Sequence, residues 1–90
     1  MNELLVGRIL EVNDHPGARA PSYLVRVDLG TRGERNAQME PGSYINADLV
    51  GRLAIVSVDD ESIVVCARSH AHGPILIAPE QEVELGTVVA

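Results

Sequence analysis

Every apolar run in this sequence is short. The longest unbroken one, Ile63 to Ala67, has five residues, and Gly, Pro or acidic clusters set it apart from its neighbours. Between those breaks the segments read as short strands and one helical turn, with no large helix available to cover an open sheet, and such a chain hides its edges by closing on itself. The residue types agree. Phe and Trp are absent and only two Tyr occur, so Val, Ile, Leu and Ala must fill the interior, which favours β-branched strand packing over aromatic anchoring. Ninety residues, 46% hydrophobic and 22% charged, read as one globular domain over 1–90, burying about 60% of its unfolded surface.

Leu4 to Val12 reads as a long first strand, and the glycine of Gly7-Arg8 marks a bulge or sharp bend within it. Asn13-Asp14-His15-Pro16-Gly17 opens a loop of around ten residues that runs past Pro21. Ser22 to Leu29 alternates cleanly, with Tyr23, Val25, Val27 and Leu29 on one face and Ser22, Leu24, Arg26 and Asp28 on the other. Gly30-Thr31-Arg32-Gly33 then reads as a hairpin turn leading to a third strand, Arg35 to Met39.

Asn46 to Gly51 has an N-cap candidate in Asn46, one turn's worth of residues and a terminating glycine, so it is expected to form the single short helical turn. Arg52 to Val58, Ser62 to Arg68, Pro74 to Ala78 and Thr87 to Val89 complete the strands. The expected fold is all-β: a small five-stranded OB-fold barrel with one short helical turn between strands 3 and 4 and extra C-terminal strands. An SH3-like barrel is the alternative.

The composition narrows function. Seven Arg face thirteen Asp plus Glu, with no Lys, giving a net charge of -6, which argues against generic attraction to polyanions. The charge is uneven: Met1 to Val58 carries six Arg against seven acids, and Asp59 to Ala90 one Arg against six, so any anion-binding face belongs to the first part. The single cysteine, Cys66, excludes an internal disulfide, and the first residues lack the basic and long apolar regions of a secretory signal, which implies a reducing, cytoplasmic setting. No run approaches the roughly 20 apolar residues of a membrane-spanning helix.

Several ordered segments carry a family resemblance over nearly the whole chain. They are Val6-Gly7-Arg8-Ile9, Pro16 to Tyr23, Val27-Asp28-Leu29-Gly30, Ala37-Gln38, Tyr44, Asp48 to Arg52, Ala78-Pro79-Glu80 and Leu85-Gly86-Thr87. Together they resemble the tRNA-binding OB-fold domain of the secretion-chaperone-like CsaA proteins, also appended to methionyl-tRNA synthetases. The resemblance implies a small dimeric, non-catalytic module that recognises tRNA by shape, with a role in some members in holding unfolded export substrates. Arg19, Arg26, Gln38 and Arg52 fall on its tRNA-binding positions, on the strand 2–3 face and the flanking loops through which an OB barrel binds oligonucleotides.

The departures are equally specific. Leu5 and Ser57 stand where the family usually has Arg and Asn, Met39-Glu40 replaces an Ile-Thr step, and the acidic turn Asp59-Asp60-Glu61 replaces a longer basic loop and repels phosphate. Only Met1-Asn2-Glu3 stands before the first strand, in place of the family's N-terminal helical segment. The expectation is then a monomer, or a homodimer built on strand edges and the C-terminal segment. A second reading is a protein-interaction or export-chaperone-like module on the same barrel with weak or lost tRNA binding.

Two further groupings bear on chemistry. Arg19, Arg26, Arg32 and Arg35 surround one hairpin, either as a phosphate-facing cluster or as a solvated face paired with Asp28 and Glu34. Cys66, His70 and His72 have a spacing that offers three metal ligands, against a plainer reading of Cys66 as a buried small hydrophobe and the histidines as loop residues. No nucleophile–base constellation, paired-carboxylate motif or phosphate-cradling glycine loop is recognisable, so the sequence predicts a non-enzyme without a cofactor. Tyr23 is expected to point inward, which leaves RNA recognition to shape and backbone contacts.

Overall fold

The computed structural model describes residues 3–17, 19–59 and 61–89. Its elements are β1 (Glu3–Asp14), β2 (Tyr23–Asp28), a 3₁₀ turn (Gly30–Arg32), β3 (Glu34–Met39), α1 (Asn46–Leu49), β4 (Leu53–Val58), β5 (Ser62–Val64), β6 (Cys66–Ser69) and β7 (Gly73–Leu76). The first five strands close a barrel in the order β1-β2-β3-β5-β4, while β6 and β7 form a separate two-stranded hairpin. This is the expected small all-β, OB-like barrel.

Closure depends on β1, which serves two neighbours. Glu3 to Arg8 pairs antiparallel with β4, and Arg8 to Asp14 pairs antiparallel with β2. The hand-over requires a bend, and Gly7 sits just before it: a Cβ there would overlap the side chains of Val27 and Leu29. The predicted irregularity is resolved into two features, since the register shift itself lies between Ile9 and Glu11. That shift bends and twists the strand. On the opposite side the barrel shuts through a short parallel contact, Ala37 with Ser62 and Gln38 with Ile63.

The alternation of β2 is as expected: Tyr23, Val25, Val27 and the following Leu29 are buried, and Arg26 is exposed. They meet Leu5, Ile9 and Val12 of β1, Ala37 and Met39 of β3, Ala54 and Val56 of β4, and Val64 of β5 in one aliphatic core. Leu49 of α1 is fully buried in the same cluster. The short helix thus plugs the barrel rather than covering a sheet.

Several boundaries differ from the sequence reading for physical reasons. Asn46 is the first helical residue and not the cap; Ile45 holds the cap position, and the Asn46 amide instead donates to the Val12 carbonyl at 3.3 Å. The run Ser62 to Arg68 divides at Val65, whose N–H donates to the Ile55 carbonyl at 2.8 Å while the strands on either side join different sheets. Thr87 to Val89 is reduced to a single bridge, Leu5 with Val88. Its backbone still serves β1, with Val6 N–H donating to Thr87 O at 2.9 Å and Val89 N–H to Leu4 O at 2.8 Å. Those bonds occupy the edge of β1 that β2 leaves open.

Substitution Gly7→Ala is expected to destabilise the protein by about 1–3 kcal/mol through overpacking, whereas Gly17→Ala, where an added Cβ meets nothing within 4 Å, should be neutral or slightly stabilising. Urea unfolding of the two variants beside the parent checks the pair.

Candidate functional site

A cleft of about 640 Å³ opens where the β1–β2 loop, the end of β3, the β5–β6 junction and the start of β7 converge. The loop is drawn in at its neck, where His15 N–H donates to the Ser22 carbonyl at 3.0 Å. That closure brings Arg19, Ala20 and Pro21 to the cleft wall. Opposite them stand Gln38 of β3 and Ile63 of β5, adjacent through the parallel pairing. Met39, Val64 and Pro74 contribute buried apolar surface. The cleft is therefore an apolar floor with polar groups at its mouth, the composition of a ligand site.

Two of the four predicted residues, Arg19 and Gln38, share this cleft. Arg26 lies on the adjoining outer face of β2, between Glu11 at 3.5 Å and Glu34 at 3.6 Å. Arg52 is not brought to the cleft; its guanidinium lies 5.8 Å from the Tyr44 ring centroid, within reach of a cation–π contact. It borders a second recess of about 370 Å³ together with Arg8 and Glu82, which are themselves ion-paired at 2.8 Å. Tyr44 links the two regions. Its carbonyl accepts the Tyr23 hydroxyl at 2.8 Å and its own hydroxyl accepts the Leu76 N–H at 3.0 Å, tying the β6–β7 hairpin to the barrel.

The four arginines around the hairpin do not form one phosphate-facing cluster. Arg32 pairs with Glu3, and Arg35 donates to the Asp59 carbonyl at 3.0 Å and the Ser62 hydroxyl at 3.3 Å, both at a barrel end away from Arg19. Inward parity explains Arg35, which lies opposite the buried Val27. The expected partner Asp28 is otherwise engaged, accepting the Gly30 N–H at 2.9 Å.

The structure adds residues that the sequence reading missed. Arg68 of β6 and Glu40, just past β3, both line the cleft, joined by two hydrogen bonds of 3.0 and 2.9 Å. Arg68 beside Glu40 holds that carboxyl below the usual carboxylate range. The Nδ1 atom of His15 is buried in the cleft wall with no hydrogen-bond partner among the described residues. Arg68 was legible as the one arginine of the acidic second part, but its 28-residue separation from Glu40 left no local signal.

Cys66 is half-buried rather than buried, and faces the cleft. Burial, followed by the Glu40 charge, pushes its thiol pKa up. His70 and His72 stand exposed in the β6–β7 turn. Among the described residues no group of three or more His, Cys, Asp or Glu is placed to hold a metal; Asp60 of the acidic turn lies outside them. No helix among the described residues is long and apolar enough to cross a membrane.

No protein-family model matches the chain. Among curated proteins it is 30% identical over 94 residues to methionine–tRNA ligase of Thermococcus kodakarensis, covering 93% of this chain and 12% of that protein. It therefore spans about an eighth of the relative's length. Among solved structures, the CsaA chaperone protein of Picrophilus torridus superposes with a TM-score of 0.88 at 25% identity, over 99% of this chain and 92% of that one. The chaperone CsaA of Bacillus anthracis gives 0.85 at 21% identity over 99% and 91%, and a MetRS-related protein of Pyrococcus horikoshii gives 0.80 at 19% over 99% and 90%. The resemblance drawn from the ordered sequence segments is borne out by these similarities.

The Cys66 environment gives a direct test of the cleft geometry. Its alkylation by iodoacetamide is expected to run slower than that of free cysteine at mildly alkaline pH, because burial depletes the reactive thiolate. The rate should keep climbing with pH after a free thiol has levelled off; a profile that overlays free cysteine would remove Cys66 from the cleft wall.

Proposed function

We propose that this protein is a non-catalytic tRNA-binding module that recognises tRNA by shape and backbone contacts, acting in the cytoplasm. The observation that carries the reading is the juxtaposition of Arg19 and Gln38 at one cleft beside the outer face of β2 and β3, in a chain similar to part of a methionine–tRNA ligase. Guanidinium and amide groups there supply donors to phosphate and ribose oxygens, contacts that fix register without reading sequence. Arg26 extends the same face. Arg52 serves a more distant stretch of backbone from the Tyr44 side, so a ligand touching all four must wrap the barrel, which suits a folded RNA better than a short strand.

A second reading has its own support. The cleft floor is apolar and Ile63 at its edge is 53% exposed, a surface suited to an extended apolar peptide, and two of the similar structures are CsaA chaperones. A homodimer is compatible with both readings, with the exposed Val88 and Val89 beside β1 as its apolar contact.

Binding to bulk tRNA, duplex DNA and unstructured RNA at two salt concentrations separates the readings. The proposal expects preferential tRNA binding whose log affinity falls linearly with log salt. Absence of binding at low salt, with salt-independent retention of an apolar peptide, would overturn it in favour of the second reading. Within the first, Arg19→Glu and Arg26→Glu should each weaken tRNA binding while leaving folding intact, since both side chains are exposed. Unchanged affinity in a folded variant would take that residue out of the interface.

A further inference from the structure

Five ion pairs link arginines to carboxylates among the described residues, and only that between Arg68 and Glu40 has both partners on the cleft wall that also holds Arg19 and Gln38. Its geometry is two-pronged: Arg68 Nη1 donates to Glu40 Oε2 at 3.0 Å and Nη2 to Oε1 at 2.9 Å. A guanidinium fork accepts a phosphate through the same paired donors. Both side chains are largely in solvent, 71% and 52% exposed, and exposed ion pairs hold weakly enough to exchange. The Arg68 cation is therefore present at the cleft but already occupied.

We propose that Glu40 is a built-in competitor that occupies Arg68 in the free protein, and that an RNA phosphate reaching the cleft displaces it to make Arg68 a further backbone contact. The inference rests on the tRNA-binding reading of the same cleft. Displacement leaves the Glu40 carboxylate close to the incoming phosphate, so the residue acts against binding twice: it fills the donor fork beforehand and repels the anion afterwards. Only the first effect needs Arg68, and this separates an exchangeable contact from a general excess of negative charge.

A double-mutant cycle on the full chain tests it, with bulk tRNA as the probe at low salt. Glu40→Gln should tighten binding by roughly two- to fivefold, the range spanned by an exposed ion pair, and should steepen the dependence of log affinity on log salt because one more cation meets phosphate without an internal partner. Arg68→Gln should weaken binding and take most of the Glu40→Gln gain with it in the double variant. If Glu40→Gln gains as much in the Arg68→Gln background as alone, or gains nothing, the competitor is overturned while tRNA binding by the parent stands. If neither parent nor Glu40→Gln binds tRNA at low salt, the tRNA reading falls and the competitor with it. Circular dichroism confirms the fold of each variant.

Discussion

The structure depends on one strand serving two neighbours. β1 must give its first half to β4 and its second half to β2, because no helix among the described residues is large enough to shield an open sheet, the α-helix there being four residues long. A strand can change neighbours only by bending, and the bend is achieved where Gly7 lets Val27 and Leu29 come close to the backbone and where the register slips past Ile9. The edge that this leaves on the first half of β1 is taken by the C-terminal segment through Val6, Thr87 and Val89. Closure also fixes the cleft, because the parallel Gln38–Ile63 contact that shuts the barrel forms part of its wall.

Legibility followed the range of the interactions. The β2 alternation, the hairpin at Gly30–Gly33 and the short turn before β4 are set within a few residues of one another, and the sequence shows them. Closure of five strands was also within reach, since it follows from what the chain lacks. The missed boundaries have tertiary causes. Asn46 is the first helical residue, with Ile45 in the cap position, and its amide donates to a carbonyl 34 residues away, while the apolar run from Ile63 concealed a change of sheet at Val65 that no local propensity marks. Arg19 and Gln38 were identified by resemblance and line one cleft, whereas Arg68 and Glu40 belong to distant segments that only the folded β6–β7 hairpin brings together.

The same distinction governs the charges. The proximity of Arg26, Arg32 and Arg35 in sequence suggested one surface, but strand parity sends Arg26 outward and Arg35 toward a barrel end. Their environments then diverge: Arg26 stands between two glutamates, Arg32 pairs with Glu3, and Arg35 donates to a backbone carbonyl. With thirteen acids to seven arginines, an arginine that meets a carboxylate is the common outcome. The acidic balance of the chain is thus expressed as local neutralisation.

Local neutralisation changes what polyanion binding means for such a protein. A basic protein brings solvated cations to the phosphates and releases the counterions condensed there, so its affinity falls steeply with salt. Here an ion-paired arginine such as Arg26 or Arg68 would have to leave a carboxylate before turning to phosphate, and the carboxylate set free would collect cations from solution, cancelling part of that release. For those arginines the salt dependence would be shallower than the count of arginine–phosphate contacts suggests, and the free energy gained per contact smaller. On the proposed reading, a rigid, folded RNA that engaged Arg19, Arg26 and Arg52 at once would do so without further ordering cost after the first contact, and selectivity would then lie in the shape of the ligand more than in total charge.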